Sequence, residues 1–474
     1  MRASLEEILE VAVRQSPELR RAQLARGAAK EDAVAAELEQ EWLASVELGG
    51  RQQRIDRPDP EPLQLTEELT VDGQATLAKR LPTGGAVVLN VQMLRRDQSF
   101  DISQLVDGQP QSREQSQNSA ARAGLSLTQP LGRGLGGAAQ AGGRRARVRR
   151  DSATSAAERA AAEALRDVVV TYWDLAYAAQ AVEVAERSFA LGKTQFDQTT
   201  ESRRAGLVAA NAVKAVEYQL AVREETLLGA RLELRTRSMD LRRLVALDVE
   251  QIDQAILPSE RFEIDQRQFD LDQALARSLL RNPELAGGAI ERKAAELEVE
   301  VAEDRRKPKV DLAVDASLVG NGENFGTALG DVGSGGTYEI GARLSLSYEL
   351  GASGSAAVRA AEKRRSAIKI SVVERAYRVR AEVITAFDSI TGARQRVALS
   401  DKAVALAGET LDAEQASFTA GRSSAYSVLD RQSELVRSEL SRARAIADYH
   451  QAVARLELLT GDLFVRYGVE FAAR

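Results

Sequence analysis

The chain has 474 residues, 44% of them hydrophobic but only 4% aromatic, and its 64 basic and 70 acidic side chains give a net charge of −6. That balance leaves no excess positive charge for a phosphate backbone and argues against nucleic acid, while the absence of cysteine excludes disulfides, thiolate metal sites, cysteine nucleophiles and a lipidated N-terminal cysteine. One histidine, His450, is too few for a metal or triad site and reads as a packing or helix-surface residue, so neither a cofactor nor an enzyme is expected.

In chain order, helical patterning begins by Leu5, and no signal peptide is visible, a start that a trimmed secreted chain and a cytoplasmic chain would share. The opening, Ser4 to Leu19, ends in Ser16-Pro17-Glu18-Leu19. Residues 45–54 and 122–129 read as strands, and between them lies an insert over 63–119. Within it, 74–81 and 86–93 form an additional hairpin about the turn Pro82-Thr83-Gly84-Gly85, and the polar stretch 97–119 reads as a loop. A helical pair over 158–203 and 206–247 follows, broken once at Ala205-Gly206. The opening then returns as Asp270 to Leu285, ending in Asn282-Pro283-Glu284-Leu285, at an offset of 282 − 16 = 266. Apolar residues alternate with polar ones from Val310 to Leu318 and from Tyr338 to Leu350, which predicts two strands, with 321–336 as the turn between them. The last helical pair, 356–419 and 423–460, repeats the first at an offset of 387 − 172 = 215, aligning Tyr172 with Phe387 and Ala205-Gly206 with Ala420-Gly421.

A duplicated chain is implied, with a first repeat at 1–260 and a second at 261–474. No proline lies between Pro130 and Pro258 or after Pro308, so helices can run there uninterrupted. Arms of about 40–60 residues would be about 60–90 Å long, and apolar spacings of three and four predict coiled-coil packing. No run of about 20 apolar residues exists, which excludes a transmembrane helix, but the strands reach the 9–11 residues that a membrane barrel needs. About four clear strands cannot close on themselves, whereas four from each of three chains can. The alternative is a soluble oligomeric coiled-coil structural protein with a small β head and no transport activity; detergent-dependent solubility separates the two.

The repeated Leu-rich opening ending in Ser/Asn-Pro-Glu-Leu, the strand Leu125-Ser126-Leu127-Thr128-Gln129-Pro130-Leu131 before Gly-rich turns, and the Ala-Gly hairpin tips together resemble the TolC-like outer-membrane efflux proteins over almost the whole chain. The resemblance implies an α+β membrane protein: a trimeric transmembrane β-barrel in the outer membrane, continued by a long α-helical coiled-coil barrel through the periplasm, with an internal duplication in each protomer. It implies a passive duct of a tripartite efflux or type I secretion system. The implied partners are two further copies, outer-membrane lipid, a periplasmic adaptor (membrane fusion) protein and an inner-membrane transporter. The insert departs from the family pattern and leaves open whether its hairpin joins the barrel or projects from it.

Three groups of residues stand out. Where TolC-like members often carry two aspartates three residues apart near the second tip, this chain has Ser427 and Asp430. Three copies of Asp430 would form a carboxylate ring at the periplasmic aperture; otherwise Asp430 is a solvated helix charge paired with Arg431 or Arg437. The tips Arg204-Ala205-Gly206-Leu207 and Ala420-Gly421-Arg422-Ser423 place glycine where a reversal needs positive φ or close packing, and the resemblance implies that they dock the adaptor. The basic clusters Arg144, Arg145, Arg147, Arg149, Arg150 and Lys363, Arg364, Arg365 read either as headgroup-facing residues or as exposed basic turns.

Overall fold

The computed structural model describes residues 2–38, 41–54, 63–102, 105–106, 109–110, 113–206, 208–248 and 255–468. In chain order the first elements are β1 (Arg2–Ala3), α1 (Leu5–Gln15), α2 (Pro17–Leu38), β2 (Trp42–Arg54), β3 (Leu63–Arg80) and β4 (Ala86–Ile102). The short β5 (Leu105–Val106) and β6 (Gln109–Pro110) precede β7 (Arg113–Pro130), α3 (Ala141–Arg204), α4 (Ala210–Val245) and β8 (Leu257–Pro258). The remainder is α5 (Leu271–Arg281), α6 (Pro283–Arg306), β9 (Lys309–Gly322), α7 (Phe325–Ser334), β10 (Tyr338–Ser347), α8 (Ser353–Thr419), α9 (Ala425–Thr460) and α10 (Leu463–Arg466). Two compact units result, one from Met1–Ala29, Asp151–Glu291 and Lys369–Arg474, the other from Lys30–Arg150 and Arg292–Ile368.

The first unit is helical. Its α1 begins with a reciprocal cap in which the Ser4 side chain accepts from Glu7 N and the Glu7 carboxylate accepts from Ser4 N at 2.8 Å, satisfying two otherwise orphaned donors. α5 starts at the corresponding place with Asp270 accepting from Gln273 N at 2.8 Å. The Asn-Pro-Glu-Leu pattern also has a local cause: Asn282 Oδ1 accepts from Glu284 N at 2.9 Å, and Pro283 takes the first helical position, where its missing N–H costs nothing. Each short helix buries one face in a core of its own. Leu5, Ile8 and Leu9 pack with Leu165, Val169 and Tyr172 of α3 and Leu241 and Val245 of α4. Ala274 packs with Val383, Ala386 and Ile390 of α8 and Tyr449 and Val453 of α9. Full burial of each large apolar side chain is worth about 1.5–3 kcal/mol, which holds α1 against the long helices, while α5 is held by the buried Ala274 and the partly buried Leu271 and Leu275.

α3 and α8 run for 64 and 67 residues, and α4 and α9 for 36 each; a helix of that shorter length is about 54 Å long. The first long helix starts at Ala141, earlier than the apolar spacing indicated, because the Gly- and Arg-rich segment before residue 158 is helical too.

The second unit is built on one antiparallel sheet in the order β10-β9-β7-β4-β3-β2. Six strands, not four, belong to it. The insert hairpin β3–β4 pairs over its full length, from Arg80↔Ala86 outward to Leu63↔Ile102, and is flanked by β2 on one side and β7 on the other. Its turn is tight: Leu81 N donates to Gly85 O at 2.8 Å, and Gly84 has φ +94° beside the Gly134 carbonyl, which a Cβ would approach to 2.2 Å.

Two loop expectations are corrected. Much of 97–119 is strand, with Asp97 opposite Gln117 and Ser99 opposite Gln115; backbone ladders need no apolar side chains, so apolar alternation misses a hairpin that continues as polar residues. Residues 103–104, 107–108 and 111–112 of that stretch lie outside the described residues. The expected turn over 321–336 contains α7, capped by Asn324, which accepts from Thr327 N at 3.0 Å, and ended by Gly335 at φ +68°. Ala328 and Val332 pack on Ala121 of the sheet. Gly320 permits the approach, since a Cβ there would stand 2.1 Å from Ala328 O.

Candidate functional site

The sheet separates two chemistries across every strand. One register row reads Ala44, Leu77, Leu89, Leu125, Ala316, Ile340 and the next on the same face Val46, Ala75, Val91, Ala123, Leu318, Tyr338. Between them, on the opposite face, runs Ser45, Thr76, Asn90, Gly124, Ser317, Glu339. The apolar face lies open over most of its extent, with Leu48 85% and Ile340 73% exposed, and α7 covers it at Ala121 and Gly320. A continuous apolar patch of this extent marks an interaction surface. On the polar face Arg122 bonds Glu339 at 2.7 Å and Ser317 at 3.3 Å.

At the second hairpin tip, α8 closes with Gly421 N donating to Phe418 O at 2.9 Å and Arg422 N to Ser417 O at 2.9 Å, with Gly421 at φ +71°. This is the double-bonded left-handed helix end for which glycine is preferred. Ala420 N still donates to Ala416 O at 3.1 Å, and the Ser423 hydroxyl bonds Glu414. The first tip repeats the geometry: Ala205 N donates to Glu201 O, Gly206 N donates to Arg203 O at 2.9 Å with φ +75°, and the exposed Arg204 pairs with Glu201. Leu207 lies outside the described residues. Nothing stands within 4 Å of a Cβ built at either glycine. Positive φ, and not close packing, is therefore what requires glycine at both tips.

Beyond the second tip, Ser424 caps α9 by accepting from Ser427 N at 3.2 Å, and the two hydroxyls lie 3.0 Å apart. One turn on, the Asp430 carboxylate is half exposed and stands 3.6 Å from Arg431, which also holds Glu434 at 2.5 Å. Ser427 and Asp430 are three apart on one helix and share a face.

The basic clusters are helical, which corrects the reading of them as turns. Arg144 forks onto Glu300 at 2.7 and 2.8 Å and also donates to Gly137 O, and Arg145 forks onto Glu298 at 2.7 and 2.8 Å. Arg147 reaches Glu37 at 3.5 Å. These guanidinium bonds hold the Glu298 and Glu300 carboxyls below the usual range. Arg149 adds to the field on Glu298, and Arg150 continues the same helix. Lys363 and Arg364 are exposed on α8, with Arg365 half-buried beside them.

His450 is the main residue that sequence reasoning undervalued. It is 9% exposed, and its ring stacks on Trp173 with centroids 3.5 Å apart and planes 2° from parallel. Its Nε2 donates to the Glu263 carbonyl at 2.8 Å. Burial pushes its pKa down to about 4, a shift that the Glu263 bond only partly offsets. Nearby, Glu457, almost fully buried, takes Arg267 at 3.0 Å and Arg466. The only advance signal was the α9 position of His450 opposite an aromatic of α3, and that pairing is not legible from spacing.

Among curated proteins none matches the sequence. Residues 274–462 match the family model of the outer membrane efflux protein. By fold, the chain is similar to the outer membrane channel CmeC of Campylobacter jejuni, with a TM-score of 0.73 at 13% identity, over 97% of this chain and 85% of that one. It is similar to the outer membrane protein VceC of Vibrio cholerae, with a TM-score of 0.70 at 14% identity over 96% of each chain. It is also similar to the open state of the outer membrane channel MtrE of Neisseria gonorrhoeae, with a TM-score of 0.68 at 14% identity over 97% and 89%. The second half of the chain therefore matches the outer membrane efflux protein family, and over nearly its whole length the chain has the fold of these outer membrane proteins.

Proposed function

We propose that three copies of this chain form a passive export duct, a barrel in the outer membrane continued by a helical passage in the periplasm. An inner-membrane transporter and a periplasmic adaptor supply energy and selection. The repeats 1–260 and 261–474 each provide strands and one long helical hairpin. The observation that carries this reading is the two-faced sheet: an apolar face across all strands, open except where α7 covers Ala121 and Gly320, opposite a face of Ser, Thr, Asn, Arg and Glu. A sheet of this kind is stable in lipid only when closed. The Ala-Gly tips are the adaptor-docking points. The basic residues of α3 and α8 sit at headgroup level, where each is worth about 1 kcal/mol near anionic lipid.

Purified in detergent, the protein should have the mass of three protomers by light scattering and should insert into planar bilayers with discrete conductance steps. A protein that stays soluble and monodisperse without detergent and carries no current would instead be the coiled-coil structural protein.

Asp430 bears the selectivity. In the trimer it repeats three times near the narrow end, and the Arg431 pair does not bury it. Replacing Asp430 with Ala should reduce the preference for cations and weaken block by multivalent cations, with assembly intact; reversal potentials in salt gradients measure this. Unchanged selectivity in an assembled trimer would leave Asp430 as a surface charge.

A further inference from the structure

The insert hairpin pairs with its neighbours in one sheet, but pairing alone does not say whether it crosses lipid or stands above it. We propose that β3 and β4 span the membrane with the other four strands, so that each copy supplies six strands and three copies close one barrel of eighteen, the β2 edge of each copy pairing with the β10 edge of the next. The proposal rests on the outer-membrane reading above.

The side-chain pattern of the hairpin matches that of β9 and β10. Facing the same way, β9 presents Val310, Leu312, Val314, Ala316 and Leu318, and β10 presents Tyr338, Ile340, Ala342, Leu344 and Leu346. On the hairpin that face carries Leu69, Val71, Gly73, Ala75 and Leu77 of β3 and Val87, Leu89, Val91 and Met93 of β4. The stretches of β3, β9 and β10 each span nine residues, the length that a tilted strand needs to cross hydrocarbon, and that of β4 spans seven. Past Met93 the same face of β4 turns to Arg95, Asp97 and Ser99, opposite Ser119, Gln117 and Gln115 of β7. The band ends at Met93 on β4 and Ala121 on β7, and it runs two residues of the same face further on β3, where Val71 and Leu69 stand opposite Arg95 and Asp97. A hairpin projecting into water would have no use for the band.

The occupant of the free edges follows from direction and chemistry. β2 and β10 are the two outer strands of a six-stranded antiparallel sheet, so they run oppositely and can continue the alternation when one copy meets the next. Both present their apolar residues on the same sheet face: Trp42, Ala44, Val46 and Leu48 on one, Ile340, Leu344 and Leu346 on the other. In hydrocarbon their unpaired N–H and C=O groups have no water to satisfy them, and each costs several kcal/mol. Since diameter grows roughly linearly with strand number, such a barrel is about 1.5 times as wide as one of twelve strands, with about twice the cross-section. The extra hairpin widens the exit.

The chain contains no cysteine, so an engineered cysteine is a unique label. Single substitutions Leu77→Cys and Leu89→Cys on the hairpin's apolar face, Thr76→Cys and Asn90→Cys on its polar face, and Leu344→Cys on β10 are coupled to a maleimide fluorophore in vesicles containing nitroxide-labelled phospholipid. The label at 77 and 89 should be quenched as strongly as at 344 and several-fold more than at 76 and 90. Lipid quenching at 344 without quenching at 77 and 89 would place the hairpin outside the membrane and overturn the proposal while the duct stands. No quenching at 344 would overturn both readings. Val46→Cys, scanned against cysteines introduced one at a time over 339–345, should give disulfide-linked oligomers at one register; their absence at every register would overturn the edge pairing.

Discussion

Trp173→Ala should destabilise the helical unit by about 3–5 kcal/mol, the range for removing a large aromatic from a packed core, as read from chemical denaturation followed by far-UV circular dichroism. Trp173 is 6% exposed, meets Tyr172 edge-on at 5.7 Å and covers one face of His450. Its loss has a second signature, in pH. His450 is held neutral, with its pKa depressed to about 4 against about 6.5 in an unfolded chain. Between those values the unfolded chain binds the proton and the folded chain does not, so stability is full above about pH 6.5 and falls as the pH drops toward 4. The loss attributable to this group is about 2 kcal/mol by pH 5. The groups around it, Glu263, Asp265, Arg267 and Arg466, include charges of both signs, with Asp265 favouring the proton and both arginines opposing it. In Trp173→Ala water reaches the imidazole, its pKa rises toward the ordinary value, and the acid-side loss shrinks. His450→Phe should likewise flatten stability between pH 7.5 and 5. An unchanged slope in both variants would mean that other groups carry the acid sensitivity.

Gly206→Val and Gly421→Val, separately and together, should abolish export in cells and cross-linking to the adaptor while leaving the protein folded. A β-branched residue resists φ of +75° or +71°, at a cost of about 1–3 kcal/mol, small beside the packing of the long helices. Because the space around each glycine is open, the damage is confined to backbone direction: the tip re-forms with other dihedrals, and the residues after it leave the helix at another angle. Thermal denaturation gives the stability, envelope fractionation the location, and efflux of a fluorescent substrate the activity. Variants that fold, reach the outer membrane and export normally would show that the tips are only turns.

The elements that could be read from the sequence were those whose signal is local. The proline-free stretches foretold α3, α4, α8 and α9, and the alternation at 310–318 and 338–350 foretold β9 and β10, although β10 ends at Ser347. Glycine at 206 and 421 foretold the tip geometry. The extension of β4 and β7 past the apolar band was missed because polar residues there pair through the backbone without any apolar alternation. α7 had a signal, the Asn324 to Thr327 cap and the Gly335 stop, but so many glycines suggested a turn. The stack of His450 on Trp173 joins residues 277 positions apart (450 − 173), and no spacing rule reaches that far.

The same distance governs how the chain folds. Leu5 and Leu463 belong to one apolar core, and Arg2 pairs with Leu257 in the short parallel ladder β1–β8. Helix α1 therefore finishes its packing with a residue 458 positions further along the chain (463 − 5). Contacts of such high sequence separation are slow to form, and until they do α1 keeps its apolar face uncovered. A chain cut anywhere before residue 454 would lack both Ala454 and Leu463 from that core, so their loss should be felt first at α1.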